Sequence, residues 1–185
     1  MALILIIETG GGVAGANTYI SLADAETYFE GRLNKSVWSS ASDVDKNAGL
    51  VQAARILDEY VRWIGWVTDT DQAMQWPRAG IFYNGYGEYY ASWDITLSTS
   101  VYSIDDDDIP DEIKNAQCEL AFVLLSQDTQ VVAATAGFSS ISVAGTVELD
   151  IDKQDRVSEI PSHVWRIISH LGNKKGGTKI QLLRG

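Results

Sequence analysis

The sequence predicts a mainly α fold with a small β part (α+β): a bundle of about four helices, a β-hairpin, and extended N- and C-terminal arms. Three observations carry that expectation. Leu50, Ala53, Ala54, Leu57, Val61 and Ile64 recur at steps of three and four, the period of a helix with one buried face. Ile113, Ala116, Leu120, Ala121, Leu124 and Leu125 form a second stripe of the same kind. Residues 139–152 alternate with period two. Ile141 and Val143 lie on one side of an Ala144-Gly145 turn and Val147, Leu149 and Ile151 on the other, as in a hairpin.

Taken in order, Ala2–Glu8 is rich in Ile and Leu and reads as a buried strand or as an extended segment held by a partner. The glycine-rich Gly10–Gly15 follows. Ser21 is a helix N-cap, and Leu22, Ala25, Phe29 and Leu33 share one face of a helix over Ser21–Leu33, with Tyr28 at its edge. Trp38 sits in the link to the long helix and is expected to cap the core where the two helices meet. Ser42 caps the long helix, Asp43 and Asp45 suit its positive end, and the pattern runs on to Gly65. Residues 81–103 show no helical period and crowd Tyr83, Tyr86, Tyr89, Tyr90 and Trp93 among glycines. That suits either a protein contact surface or a loop folded over its own aromatics, with a short strand near Ile95–Val101. Pro110 opens a helix to about Gln127, and Pro161–Leu171 is a short final helix with Val164, Trp165, Ile168 and Leu171 inward.

The expected organisation is one domain over 1–171. It comprises an arm at 1–20, a helical core at 21–128 with an aromatic-rich insertion at 81–108, the hairpin at 138–152 and the final helix at 161–171. A cationic arm, 172–185, follows. The net charge is −11. Residues 172–185 hold Lys174, Lys175, Lys179 and Arg184 and no acid, so the remainder carries a net −15. An acidic body repels nucleic acid and anionic membranes, and its cationic end suits an acidic protein surface. Ile180, Leu182 and Leu183 in that tail would be poorly satisfied in water and also point to a partner. The single Cys118 excludes an intrachain disulfide, and its apolar helical setting favours an inert thiol. Neither a secretion signal nor a membrane-spanning segment is evident.

Motifs for chemistry are few. Gly10, Gly12 and Gly15 match G-x-G-x-x-G formally, but an extended segment follows where a helix N-terminus should face a pyrophosphate. A flexible connector is therefore the simpler reading. Trp63, Trp66 and Trp76 with Arg55, Arg62 and Arg78 resemble a stacking surface for single-stranded nucleic acid. Asp58, Glu59, Asp69 and Asp71 offset the cations, which favours the edge of a core. Asp105–Asp108 lacks cation-loop spacing and reads as a solvated lead-in to a helix. His163 and His170 are spaced too widely for a metal pair. No catalytic, cofactor or metal residues are assigned, and an enzyme is not expected.

Three blocks carry a family resemblance. Ala16–Phe29 (ANTYISLADAETYF) resembles the ANSYVSLAEADAYF opening of small phage-encoded proteins. Trp38, Ala48–Asp58 and Gln75–Gly80 (QWPRAG) match next, and Ile109–Ala121 is similar to the third block. The family is labelled DnaT-like single-stranded-DNA-binding protein. It is also similar to the head–tail connectors, or head-completion adaptors, of tailed phages. The adaptor resemblance implies a ring of usually twelve subunits under the portal, DNA passing through its channel unbound, and a tail or further neck protein below. It places the protein in the virion neck, made in the host cytoplasm. It also implies that Lys174, Lys175, Lys179, Ile180, Leu182, Leu183 and Arg184 dock on the portal. Tyr83, Tyr86, Tyr89, Tyr90 and Trp93 are candidates for a contact with the tail or a neighbouring subunit. The alternative is a single-stranded-DNA-binding replication accessory protein.

Overall fold

The computed structural model describes residues 3–83, 89–91, 102–126, 140–143, 147–150 and 159–175. Its helices are α1 (Leu22–Glu30), α2 (Ser36–Ser40), α3 (Asp43–Tyr60), α4 (Asp111–Ser126) and α5 (Ser162–Ile168). Around them lie short antiparallel sheets, so the chain is mainly helical and α+β.

The two long helices make the centre. Ser42 caps α3 by accepting the Asp45 amide, with Asp43 and Asp45 in the first turn, where the helix dipole favours acids. Leu50, Ala53, Ala54, Ile56 and Leu57 of α3 are buried in the same cluster as Ile113, Ala116, Leu120 and Ala121 of α4 and Val164 and Ile168 of α5. Burial of such side chains is worth ~1.5–3 kcal/mol each for the larger ones and supplies most of the drive to fold. Trp38 is fully buried and stacks on Phe29 of α1 at 4.3 Å, closing the core between α1 and α3 as expected.

The apolar period overruns the end of α3. Val61 and Ile64 were expected in the helix, but it stops at Tyr60 and β1 (Val61–Trp63) begins. The β-branched Val61 and aromatic Trp63 suit a strand, and β1 pairs antiparallel with β9 (Gly172–Lys174), Val61 opposite Lys174. A three-residue strand with a distant partner leaves no local signal, so the tertiary contact decides. Gly65 takes φ +68°, in the turn between β1 and β2 (Trp66–Val67) rather than at a helix end. β2 pairs with β3 (Arg78–Ala79).

The first helix ends at Glu30, so Leu33 lies beyond it and is 87% exposed instead of inward. Within 81–103 the described residues form a three-stranded antiparallel sheet in the order β5 (Tyr89–Ala91), β4 (Ile81–Tyr83), β6 (Tyr102–Ser103), which was not expected; the strand expected near Ile95–Val101 lies outside the described residues. The hairpin is present as β7 (Ser140–Val143) and β8 (Val147–Asp150), Val143 opposite Val147. In the last helix Val164 and Ile168 are buried; Trp165 is only half-buried.

The N-terminal arm is bound within the chain along one edge. Ile7 bridges Thr18 in parallel, Asn17 donates to the Ile6 carbonyl at 2.8 Å, and Glu8 donates to the Thr18 carbonyl at 2.8 Å. It is no buried strand, since Leu3, Ile4 and Ile6 are exposed. Among the described residues no helix is long and apolar enough to cross a membrane.

Candidate partner-binding surfaces

Of the residues that looked most like a nucleic-acid site, Trp63, Trp76 and Arg78 face inward. Trp76 is fully buried and Trp63 nearly so, their rings edge-on at 5.9 Å. Trp66 lies over Gly80, where an added Cβ would fall 1.9 Å from the indole. Arg78 is 8% exposed and its guanidinium is held by the chain itself. Nε donates to the Ile64 carbonyl at 2.7 Å, NH2 to the Gly65 carbonyl at 2.9 Å, and NH1 to the Gln75 carbonyl at 3.0 Å. Burial holds its pKa below the usual arginine value. With those donors engaged, Arg78 has little left for a phosphate. Arg55 and Arg62 are exposed, on α3 and β1.

The glycine loop is a closed anion nest. Glu8 is 1% exposed, and its carboxylate accepts the amides of Gly10, Gly12 and Val13 at 2.9, 3.0 and 2.7 Å. Amides that might have cradled a phosphate thus hold the chain's own acid. Gly10 takes φ +106°, and a Cβ there would fall 1.6 Å from the Asp107 carbonyl oxygen. Only glycine allows the loop to touch the acidic turn so closely. The loop is therefore a packed structural element in place of the expected flexible connector. Asp105–Asp108 is exposed and closes a turn, Asp108 donating to the Asp105 carbonyl. Among the described residues no three His, Cys, Asp or Glu side chains are placed to hold a metal ion.

Behind these features lies a buried polar network with no local sequence signature. Gln117, fully buried on α4, accepts the Tyr19 amide and donates to Thr18 Oγ1 at 2.7 Å and to the Leu50 carbonyl at 2.9 Å. It joins the arm to both long helices. Tyr19 donates to Asp58 Oδ1 at 2.5 Å, while Asp58 Oδ2 accepts the Gln75 amide. Burial outweighs those hydrogen bonds and lifts the Asp58 carboxyl to about 6; the same burial, with Asp58 beside it, raises Tyr19 well above the usual phenol value. On α4, burial pushes the Cys118 thiol up to about 12, so it is not a poised nucleophile.

The outward-facing features are different in kind. At the root of the C-terminal arm Lys174 and Lys175 are exposed. The start of the expected extended arm is instead part of the body: Lys174 ends β9 and lies 5.3 Å from the Trp165 ring centroid. The Lys175 amide donates to the Tyr60 carbonyl at 2.7 Å, and its ammonium to the Asp58 carbonyl at 2.9 Å. Lys179, Ile180, Leu182, Leu183 and Arg184 lie outside the described residues, as do Tyr86 and Trp93. Tyr83, Tyr89 and Tyr90 are placed by backbone only, in paired strands, Tyr83 opposite Tyr89. On the opposite terminus Leu3, Ile4 and Ile6 offer three exposed apolar side chains within four residues.

No curated protein and no solved structure matches the chain. A family model described as "Putative DnaT-like ssDNA binding protein" matches residues 3–185, nearly the whole length, and the chain belongs to that family.

Proposed function

We propose that this protein is a non-enzymatic structural adaptor of a tailed phage, assembled as a ring between portal and tail. The reading draws on the resemblance of residues 16–29, 48–58, 75–80 and 109–121 to head-completion proteins. The observation that carries it is the state of Arg78 and Trp76. Trp76 is spent on the core and the Arg78 guanidinium on the protein's own carbonyls. What remains outside, on a chain of net −11, is an acidic surface, an apolar arm and a lysine-bearing C-terminal root, which suit protein partners. A channel with an acidic wall lets DNA slide without gripping its phosphates.

The test is capture of the chain by the portal protein of the same phage genome. Because Gly172–Lys174 belong to the body through β1, the informative truncation starts at Gly176. The full chain is expected to be retained, and the chain ending at Lys175 is expected to fold and be lost from the portal. Equal capture of both would remove the tail from the account; capture of neither would remove the portal.

A second reading, a single-stranded-DNA-binding accessory protein, is favoured by the family description itself. It requires a stacking surface and cations other than Trp76 and Arg78. It predicts binding that weakens steeply as salt rises.

A further inference from the structure

The outer face of α3 carries a pattern that its core face does not explain. Asp45, Ala48, Gln52, Arg55 and Glu59 follow one another at steps of three, four, three and four, the spacing of a helix–helix seam. Asp45, Ala48, Arg55 and Glu59 are exposed, and Val44 beside them is 67% exposed. Arg55 makes no ion pair or hydrogen bond among the described residues. Asp45 bonds only to Ser42 at the helix cap. Grooves flank the seam on both sides and share Ala48 and Gln52 as their common wall. One, of about 600 Å³, runs past Val37, Ala41, Leu124 and Leu125. The other, of about 420 Å³, runs past Leu3, Val51 and Ile56. A ridge between two grooves of mixed polar and apolar lining is a shape that another helix can straddle.

Charge complementarity identifies the occupant. From Asp45 to Arg55 the seam carries an acid at one end and a base at the other, with Glu59 beyond it. Laid antiparallel on a second α3 about a centre at Leu50, Ala48 faces Gln52 and Asp45 faces Arg55, twice over. Laid parallel in register, Asp45 would meet Asp45 and Arg55 would meet Arg55. Asp45 and Arg55 are ten residues apart, ~15 Å along the helix, so both cross-pairs fit one straight contact.

We propose that two copies of this chain associate through α3, antiparallel about a two-fold axis between Ala48 and Gln52, with Asp45 of each copy against Arg55 of the other. The grooves alongside take up the second copy's Val44 and Leu3. A cyclic ring is built from head-to-tail contacts and a two-fold pair is not, so this is a separate association of the free protein. It does not rest on the adaptor reading.

The experiment is sedimentation equilibrium of the full chain from low micromolar to several hundred micromolar. The mass is expected to rise from 20.3 kDa to twice that. Arg55→Asp is expected to weaken association at least about tenfold, as losing both cross-pairs and adding like-charge contacts should. The exchange Asp45→Arg with Arg55→Asp is expected to restore it to within about threefold of the parent, since both cross-pairs re-form. Circular dichroism on each variant confirms the fold, and portal capture, which reads the tail, is scored separately. A parent monomeric throughout, a mass beyond the dimer, an unaffected Arg55→Asp, or an exchange that fails to restore pairing would each overturn the proposal.

Discussion

Residues 61–80 and residues 3–6 exchange the roles that their composition suggests. The first stretch holds three tryptophans and two arginines, the composition of a binding surface, yet Trp76 is fully buried and Arg78 is locked to carbonyls. The second is all Leu and Ile, the composition of a core, yet Leu3, Ile4 and Ile6 stand in water. The difference lies in what the surrounding backbone offers. A turn at Ile64-Gly65 and a loop at Gln75 aim three carbonyls at one guanidinium, so a charge can be buried there at tolerable cost. Among the described residues the arm's backbone is bonded along one edge by Asn17 and Thr18, and Leu3, Ile4 and Ile6 stay exposed.

That contrast can be broken at several points. Trp76→Ala should be the most damaging change, costing ~3–5 kcal/mol, read as a lowered midpoint in chemical denaturation. An exposed stacking residue would leave the midpoint unmoved. Arg78→Met should cost ~2–4 kcal/mol, because it strands buried carbonyls at Ile64, Gly65 and Gln75. If Arg78 served a phosphate, the same variant would keep its stability. Gln117→Leu should cost ~2–3 kcal/mol and raise hydrogen exchange at the Tyr19 amide, which loses its acceptor. At the other extreme, Ile4→Ser or Leu33→Ser should shift stability by no more than ~0.5 kcal/mol.

A pH-dependent effect lies between the two regions, at Asp58. Its folded pKa of about 6 stands above the ordinary 3.8, so the folded state holds the proton more tightly than the unfolded chain. The stability contributed by that proton is complete below about pH 4 and is lost as pH rises through about 6. Denaturation midpoints should therefore fall across that window from this group. In Asp58→Asn the fall attributable to it should vanish, whatever the absolute stability of the variant.

Much of the architecture was legible because it is periodic. The stripes on α3 and α4, the Ser21 and Ser42 caps and the 140–150 hairpin all announce themselves within a few residues. What was hidden depends on partners distant in sequence. Val61 turns from helix to strand because Gly172–Lys174 pairs with it, over a hundred residues away. Gln117 and Asp58 matter through Thr18, Tyr19 and Gln75, none of which they neighbour. The glycine loop misled by its spacing, since the ligand for its amides is Glu8, two residues before the first glycine. The candidate partner surfaces were legible at Lys174 and Lys175 as charge, though not as part of a strand. The charged stripe Asp45–Arg55 on the outer face of α3 shares its helix with the buried stripe, whose stronger apolar period masks it.

The most direct test of the central claim is a titration of the full chain into a labelled single-stranded oligodeoxynucleotide at low salt, followed by fluorescence anisotropy. With Trp76 and Arg78 committed to the interior and a net charge of −11, the signal should stay flat to the highest protein concentration reached. A saturable rise in the micromolar range that weakens steeply with added salt would contradict the account.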